Sequence, residues 1–437
     1  MTYPKSLVCF FVDRARNFLD IELDFPSVAT VQAMMALSCH QVGNANKTRG
    51  WLYSGMSMRL AFDLALHLDL SNDVMDGTIT SAEAEVRRMV FWSSYTADQT
   101  LGFQLGRPVR IDMDDVTVRK PDGPSLHEGT TLGNTLIQNA SSLQVEASNV
   151  AEHVRQQRVA LCDIMAPCGY ILYGTTRYTK DTLRELNVNI VTQLSDWKAK
   201  LPLATQIDLD ETRSDYASSV LILHMQYHQS MIYTHRPWMS KHGIQPQPPR
   251  NPGYRHARGM CVHSAIAIAK ILLLHESQRP LKYIHHSAVH ITSSAALLLL
   301  FADVCSCPDW KKEDVIACLS TCFRALDEFS ASWQSARQAM DSLLGIQQKW
   351  HSRKDSAPAS RQAQMGPGAA ISSLEFEGNN FQTSLDNALF SMHNDDSDQF
   401  NMMFDADLDW SLLPADSMSL PAWNEDFIPE QTGHQPG

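Results

Sequence analysis

Two histidine pairs at i, i+4 spacing are the side chains best suited by type to metal chemistry: His224 with His228, and His286 with His290. On a helix that spacing aims two imidazoles at one point, as in zinc hydrolases. A hydrolytic centre also needs a third ligand and a glutamate base, and His275-Glu276 lacks the second histidine of an H-E-x-x-H motif. The histidines therefore read as core or interface residues. Among the nine cysteines the closest groupings are Cys305 with Cys307 and Cys318 with Cys322, the latter on one helical face. Neither has the spacing of a zinc site, and no C-x2-C pair occurs. There is no G-x-S-x-G element, phosphate-cradling glycine loop or dinucleotide fingerprint. The expectation is a non-enzyme with no metal or cofactor site in this chain.

The elements that would carry these residues are helical. Residues 3–19 repeat apolar side chains at helical intervals, and Ser27 can cap a helix through Val42, with Gly43 as its stop. A third helix spans about 48–70, since Trp51, Gly55, Met58, Phe62 and Leu66 share one face. Thr80 with Glu83 forms a capping box for a fourth, which runs to Leu105 and ends at Gly106-Arg107-Pro108, where proline cannot extend the ladder. Residues 119–150, rich in Gly, Ser, Asn, Pro and Thr, read as a mobile insert. Helical patterning resumes over about 151–200, 214–233, 257–275, 287–304 and 314–350, with a proline-rich break at 245–253. No alternation convincing as a strand appears, so the fold class is all-α.

The apolar runs 266–274 and 295–302 fall short of the ~18 residues that cross a bilayer, and no secretion signal is visible. An odd number of scattered cysteines points to reduced, buried thiols in cytosol or nucleus.

Charge divides the chain. Residues 374–437 hold thirteen Asp and Glu and no Lys or Arg, so the rest carries 36 basic and 48 − 13 = 35 acidic residues. A neutral body gives no clustered charge for non-specific phosphate binding. Residues 351–373 read as a flexible linker and 374–437 as a disordered tail that cannot bury enough apolar area to offset its ordering entropy. Eight Phe and Trp residues stand among the tail's acids. Carboxylate repulsion keeps such aromatics available, and on a transient helix Phe404, Leu408 and Leu412 share a face beside Trp410 and Leu413. These five are the expected contacts to a coactivator.

On residues 29–121 the order of segments carries a resemblance. The Gln32 helix, Leu66-His67-Leu68, Arg87-Arg88 with Phe91-Trp92, Asp98, and Gly106-Arg107-Pro108 match pieces of the regulatory (middle homology) domain of fungal zinc-cluster transcription factors. So do 223–228 with 234–238, 288–298, and 322–326 leading to Trp333 and Trp350. Within the family the chain is most similar to the nitrate-assimilation-activator type, over about residues 1–350. Ala65 departs from the family's usual glycine, a change read as a slight alteration of packing.

The resemblance implies a helical regulatory domain over 1–350, N-terminally truncated, in a nuclear regulator of RNA polymerase II transcription. It implies partners in coactivators or the general transcription machinery, and no membrane. DNA would be reached only through the missing Zn2Cys6 cluster, the one place where zinc is expected, with the protein acting as a homodimer. The alternative is a truncated, non-DNA-binding module that sequesters coactivators or a paralogue. Arg87, Arg88, Phe91, Trp92, Asp98, Gly106, Arg107 and Pro108 are implied to be structural, with the charges solvated or locally paired. Arg107 would anchor Asp98, Asp114 or Asp115 through its planar fork.

Overall fold

The computed structural model describes residues 7–107, 109, 111–122, 142–172, 179–209, 215–236, 254–305 and 310–355. Within them every regular element is helical and no strand occurs. The chain is all-α, as its periodicity predicts. Pro108, the 245–253 break, Cys307, the 356–373 part of the linker and the tail with Phe404, Leu408, Trp410, Leu412 and Leu413 lie outside the described residues.

Helix α1 (Leu7–Asp24) ends later than the predicted 19, and residues 3–6 of that prediction lie outside the described residues. Its tie to α2 (Val28–Gly43) includes a hydrogen bond from Thr30 Oγ1 to Glu22 (3.0 Å). Ser27 caps α2 as expected: its backbone N–H donates to Thr30 Oγ1 (3.0 Å), a donor left without an intrahelical partner. The stop differs from the prediction. Gly43 is the last helical residue and Ala45 is the left-handed one, with φ +63°. The N–H of Asn46 bonds Gln41 O (2.8 Å) and that of Ala45 bonds Val42 O (3.0 Å), the paired bonds of a Schellman motif.

Helix α3 (Lys47–Asp63) ends the same way, seven residues before the predicted 70. Leu66 N–H reaches Ala61 O (2.8 Å) and Ala65 N–H reaches Phe62 O (3.0 Å), with Ala65 at φ +55°. The departure from glycine at 65 is therefore a backbone matter, not one of packing. An L-residue in this conformation costs roughly 1–2 kcal/mol, which glycine avoids. Ala65→Gly, and Ala45→Gly beside it, should each raise unfolding stability by about 1 kcal/mol in urea titrations; an unchanged midpoint would show that neither position is strained.

A short α4 (Ser71–Met75) precedes α5 (Ser81–Leu105), where Thr80 Oγ1 accepts from Glu83 N–H (3.1 Å). Gly106 closes α5 at φ +60°. The segment after it is pinned rather than mobile at its start: Trp92 Nε1 donates to Arg119 O (2.8 Å) and Arg88 Nη1 to Lys120 O (3.0 Å). Helix α6 (Ser142–Leu172) begins inside the predicted insert, and α7 (Lys180–Ala199) follows as a separate helix.

Helix α8 (Ser218–His235) is buried on nearly every face and forms the axis of the body. Against it pack α6, α7, α9 (Tyr254–Gln278) and α10 (Ser287–Cys305), while α11 (Lys312–Phe329) packs on α9 and α10, and α12 (Gln334–Asp355) on α10 and α11. The predicted single helix over 314–350 is broken between Phe329 and Gln334. Tertiary bonds hold the chain out of the ladder there: Ser332 Oγ donates to Lys282 O (2.6 Å) and Trp333 Nε1 to Ile284 O (3.0 Å). Helix α12 continues past the expected boundary at 350. Residues 256–278 of α9 are long and apolar enough to cross a membrane, more than the run at 266–274 indicates, but 67% of its apolar window is buried inside the body. It reads as a core helix.

Three apolar clusters result. Val31, Met58, Val90, Phe91, Trp92 and Tyr95 join α2, α3 and α5. Leu161, Met165, Ile190, Leu194, Leu223 and Met231 join α6, α7 and α8. The largest runs from Leu221 and Met225 on α8 through α9, α10 and α11 to Leu343 on α12.

Candidate functional site

The α5 residues singled out by sequence make packing and helix-end contacts, and several are more deeply set than their charges imply. Arg87 reaches Glu83 and donates to Leu64 O (3.2 Å), fastening the α3 terminus. Arg88 grips Glu85 with two bonds of 2.9 and 2.8 Å. Phe91 and Trp92 meet edge to face at 5.2 Å in the core. Asp98 is buried, not solvated, and accepts from Ser54 Oγ at 2.5 Å; burial pushes its carboxyl above the ordinary range. Ser57 continues this polar seam, donating to Val31 O (3.0 Å) with Ser94 Oγ at 3.3 Å. Arg107 meets none of the three predicted aspartates. Its guanidinium lies 4.8 Å from the ring centroid of Trp51, and Nη2 reaches Thr48 Oγ1 (3.4 Å).

The two histidine pairs do not form paired metal sites. His224 is fully buried; its Nε2 donates to Thr205 O (2.7 Å), so its Nδ1 is the acceptor for Lys198 Nζ (2.7 Å). Burial and then the Lys198 charge lower its pKa to about 4, and burial lowers Lys198 to about 8. His228 is pushed to about 3, by burial first. His228 and Lys198 line an open cavity of about 720 Å³. His290 Nε2 meets Tyr233 OH at 2.8 Å.

A chamber of about 300 Å³ lies among α2, α5, α6, α8 and the turn before α10. Its wall is chemically unusual. Arg158 Nε, Gln104 Nε2, Gln226 Oε1 and both ring nitrogens of His286 are sealed from solvent without a hydrogen-bond partner. Native proteins leave few such atoms, and a cluster of them marks a place for ordered water, an ion or a ligand. Arg158 carries no ion pair among the described residues, which gives the chamber an uncompensated positive charge. The thiol of Cys39 also lines it, and burial holds its pKa above the ordinary range, so it is a protonated thiol rather than a nucleophile.

Val42, Gln104 and His286 line both this chamber and a larger cleft of about 880 Å³ that carries Lys47, Arg49 and Arg107. The arrangement is suited to binding: two arginines, one of them paired with Glu152, and several amides and hydroxyls. Sequence reading missed Gln104, Arg158 and Gln226 because each is a single polar side chain contributed by a different helix, and it singled out His286 only for its spacing to His290. One signal was present: Arg158 sits midway between Val154 and Cys162 on the buried face of α6.

The profile of the family described as fungal specific transcription factor domain matches residues 4–234. The nitrogen assimilation transcription factor nirA of Emericella nidulans is 29% identical over 347 residues, 78% of this chain and 37% of that protein. An uncharacterized transcriptional regulatory protein of Schizosaccharomyces pombe is 26% identical over 82% of this chain and 58% of its own length. Nitrogen assimilation transcription factor nit-4 of Neurospora crassa is 23% identical over 78% of this chain and 30% of its own. The chain thus spans between about a third and three fifths of the length of these relatives. No solved structure matches it significantly.

Proposed function

Because the chain belongs to the family of the fungal specific transcription factor domain, we propose that it carries the regulatory and activation portions of a zinc-cluster regulator of RNA polymerase II transcription. The reading is supported by a family match over 4–234 joined to a C-terminal stretch with thirteen acids and no Lys or Arg. In this reading the protein works in the nucleus, and DNA is reached through a binuclear zinc cluster on a preceding segment, acting as a dimer; that cluster needs six cysteines with C-x2-C pairs, which this sequence does not contain. Phe404, Leu408, Trp410, Leu412 and Leu413 form the contact surface for a coactivator or the general transcription machinery. The helical body governs that surface, and the chamber around Arg158 receives a small polar effector with acceptor groups.

A second reading is a truncated, non-DNA-binding module that sequesters coactivators or a paralogue. Residues 374–437 fused to a heterologous DNA-binding domain should activate a reporter several-fold, and changing Phe404, Leu408 and Leu412 together to Ala should abolish it. A silent fusion overturns the activation reading. Failure of the full chain to co-purify with a zinc-cluster protein, while activation persists, would leave coactivator sequestration as the function.

A further inference from the structure

Cys39, His285 and His286 come from two distant parts of the sequence, and one ligand atom of each lies within 4.8 Å of the other two. Cys39 is on the buried side of α2; the histidines occupy the turn that leads into α10. We propose that these three side chains hold a divalent zinc-class ion that staples α2 to the α10 turn, with the fourth position open toward the chamber. A thiolate and two imidazoles are the borderline-soft set that zinc selects, and three protein ligands with one open position is a four-coordinate arrangement.

Each ligand has a reason to be there. His286 is sealed at both ring nitrogens with no hydrogen-bond partner for either, and an imidazole left in that state is costly. A metal on one nitrogen relieves it. Trp333 stands edge-on to its ring at 5.9 Å and fixes its plane. His285 Nδ1 accepts from the Ser287 N–H (3.3 Å), with Ser287 Oγ 2.9 Å away, so coordination through Nε2 requires its proton to shift to Nδ1, where Ser287 Oγ can accept it. Its exposure gives the ion a path from solvent. Separations up to 4.8 Å exceed those of a closed tetrahedral site, so the three groups draw together as the ion enters. The Cys39 thiol loses its proton to solvent in that step, and the thiolate–zinc bond replaces the S–H bond.

Arg158 sets the character of the open position. Zinc with one thiolate keeps one net positive charge, and the Arg158 guanidinium on the same chamber adds another. A fourth ligand with a negative charge, such as a small carboxylate or hydroxide, completes the site best.

The test uses the full, tag-free chain. Elemental analysis should find one zinc per chain, and cobalt(II) exchanged into the site should give an intense thiolate-to-cobalt charge-transfer band. His285→Gln, at an exposed position that leaves the core intact, should weaken cobalt binding at least about tenfold, and Cys39→Ser should remove the band. Added zinc should raise the unfolding midpoint of the wild type but not that of His285→Gln. A metal-free chain whose cobalt complex shows no thiolate band overturns the proposal, as does a band that survives Cys39→Ser. None of these outcomes bears on the reporter test, which does not involve the helical body.

Discussion

Between pH 6.5 and 4 the wild-type body should lose roughly 3 kcal/mol of stability that a His224→Asn variant does not lose. His224 is neutral in the folded chain, between a carbonyl that takes its Nε2 proton and an ammonium that donates to Nδ1. A second proton has nowhere to sit without expelling Lys198, and burial penalises the cation further. The folded pKa of about 4 lies below the unfolded value near 6.5, so the unfolded chain binds the proton first as pH falls. The stabilisation is complete above 6.5 and is lost as pH falls toward 4. Each pKa unit is worth about 1.4 kcal/mol, which sets the size of the effect. His228, held near 3, adds in the same direction. Carboxylates titrate in this range in both proteins, so the measurement is the difference in urea-unfolding free energy between wild type and variant across the pH series. Parallel curves would show that His224 is not the group responsible.

Gly43→Ala should destabilise the chain by about 1–3 kcal/mol, although alanine is the better helix former. A Cβ at position 43 would stand 2.3 Å from Trp333 Cε3 and 2.7 Å from Cζ3, inside van der Waals contact. The indole cannot easily retreat. Its Nε1 is bonded to Ile284 O, its backbone N–H to Phe329 O, and its edge abuts His286. The close approach of α2 to the start of α12 therefore depends on a bare Cα. In a Trp333→Leu background the same substitution should cost little, and a double-mutant cycle over urea midpoints measures the coupling. Additive effects would mean that the two residues do not meet.

Local chemistry was the most legible part of the sequence. Ser27, Thr80 and Gly106 act within a few residues of themselves, and each does what its type dictates. Helix ends built on Ala45 and Ala65 were hidden because they use the backbone geometry of glycine without glycine. The break before Gln334 was hidden for another reason. Its cause lies about fifty residues away, in the carbonyls of Lys282 and Ile284. Arg107 drew attention correctly by type, but its partners are an indole and a hydroxyl on α3 and not the nearby acids. The chamber as a whole has no linear signature beyond the charge of Arg158 on a buried helix face: Gln104, Arg158, Gln226 and His286 are separated by long helical runs, and only packing brings them together.

Helix α8 leaves the body few ways to deform. Leu223 and Met231 belong to one cluster, Leu221 and Met225 to another, and Gln226 between them looks into the chamber. Close-packed side chains tolerate little gradual slippage, so a guest that pulls on Gln226 must either leave the spine where it is or reseat both flanks at once. Occupancy would then be transmitted as an all-or-none rearrangement, without the graded flexing of a surface flap.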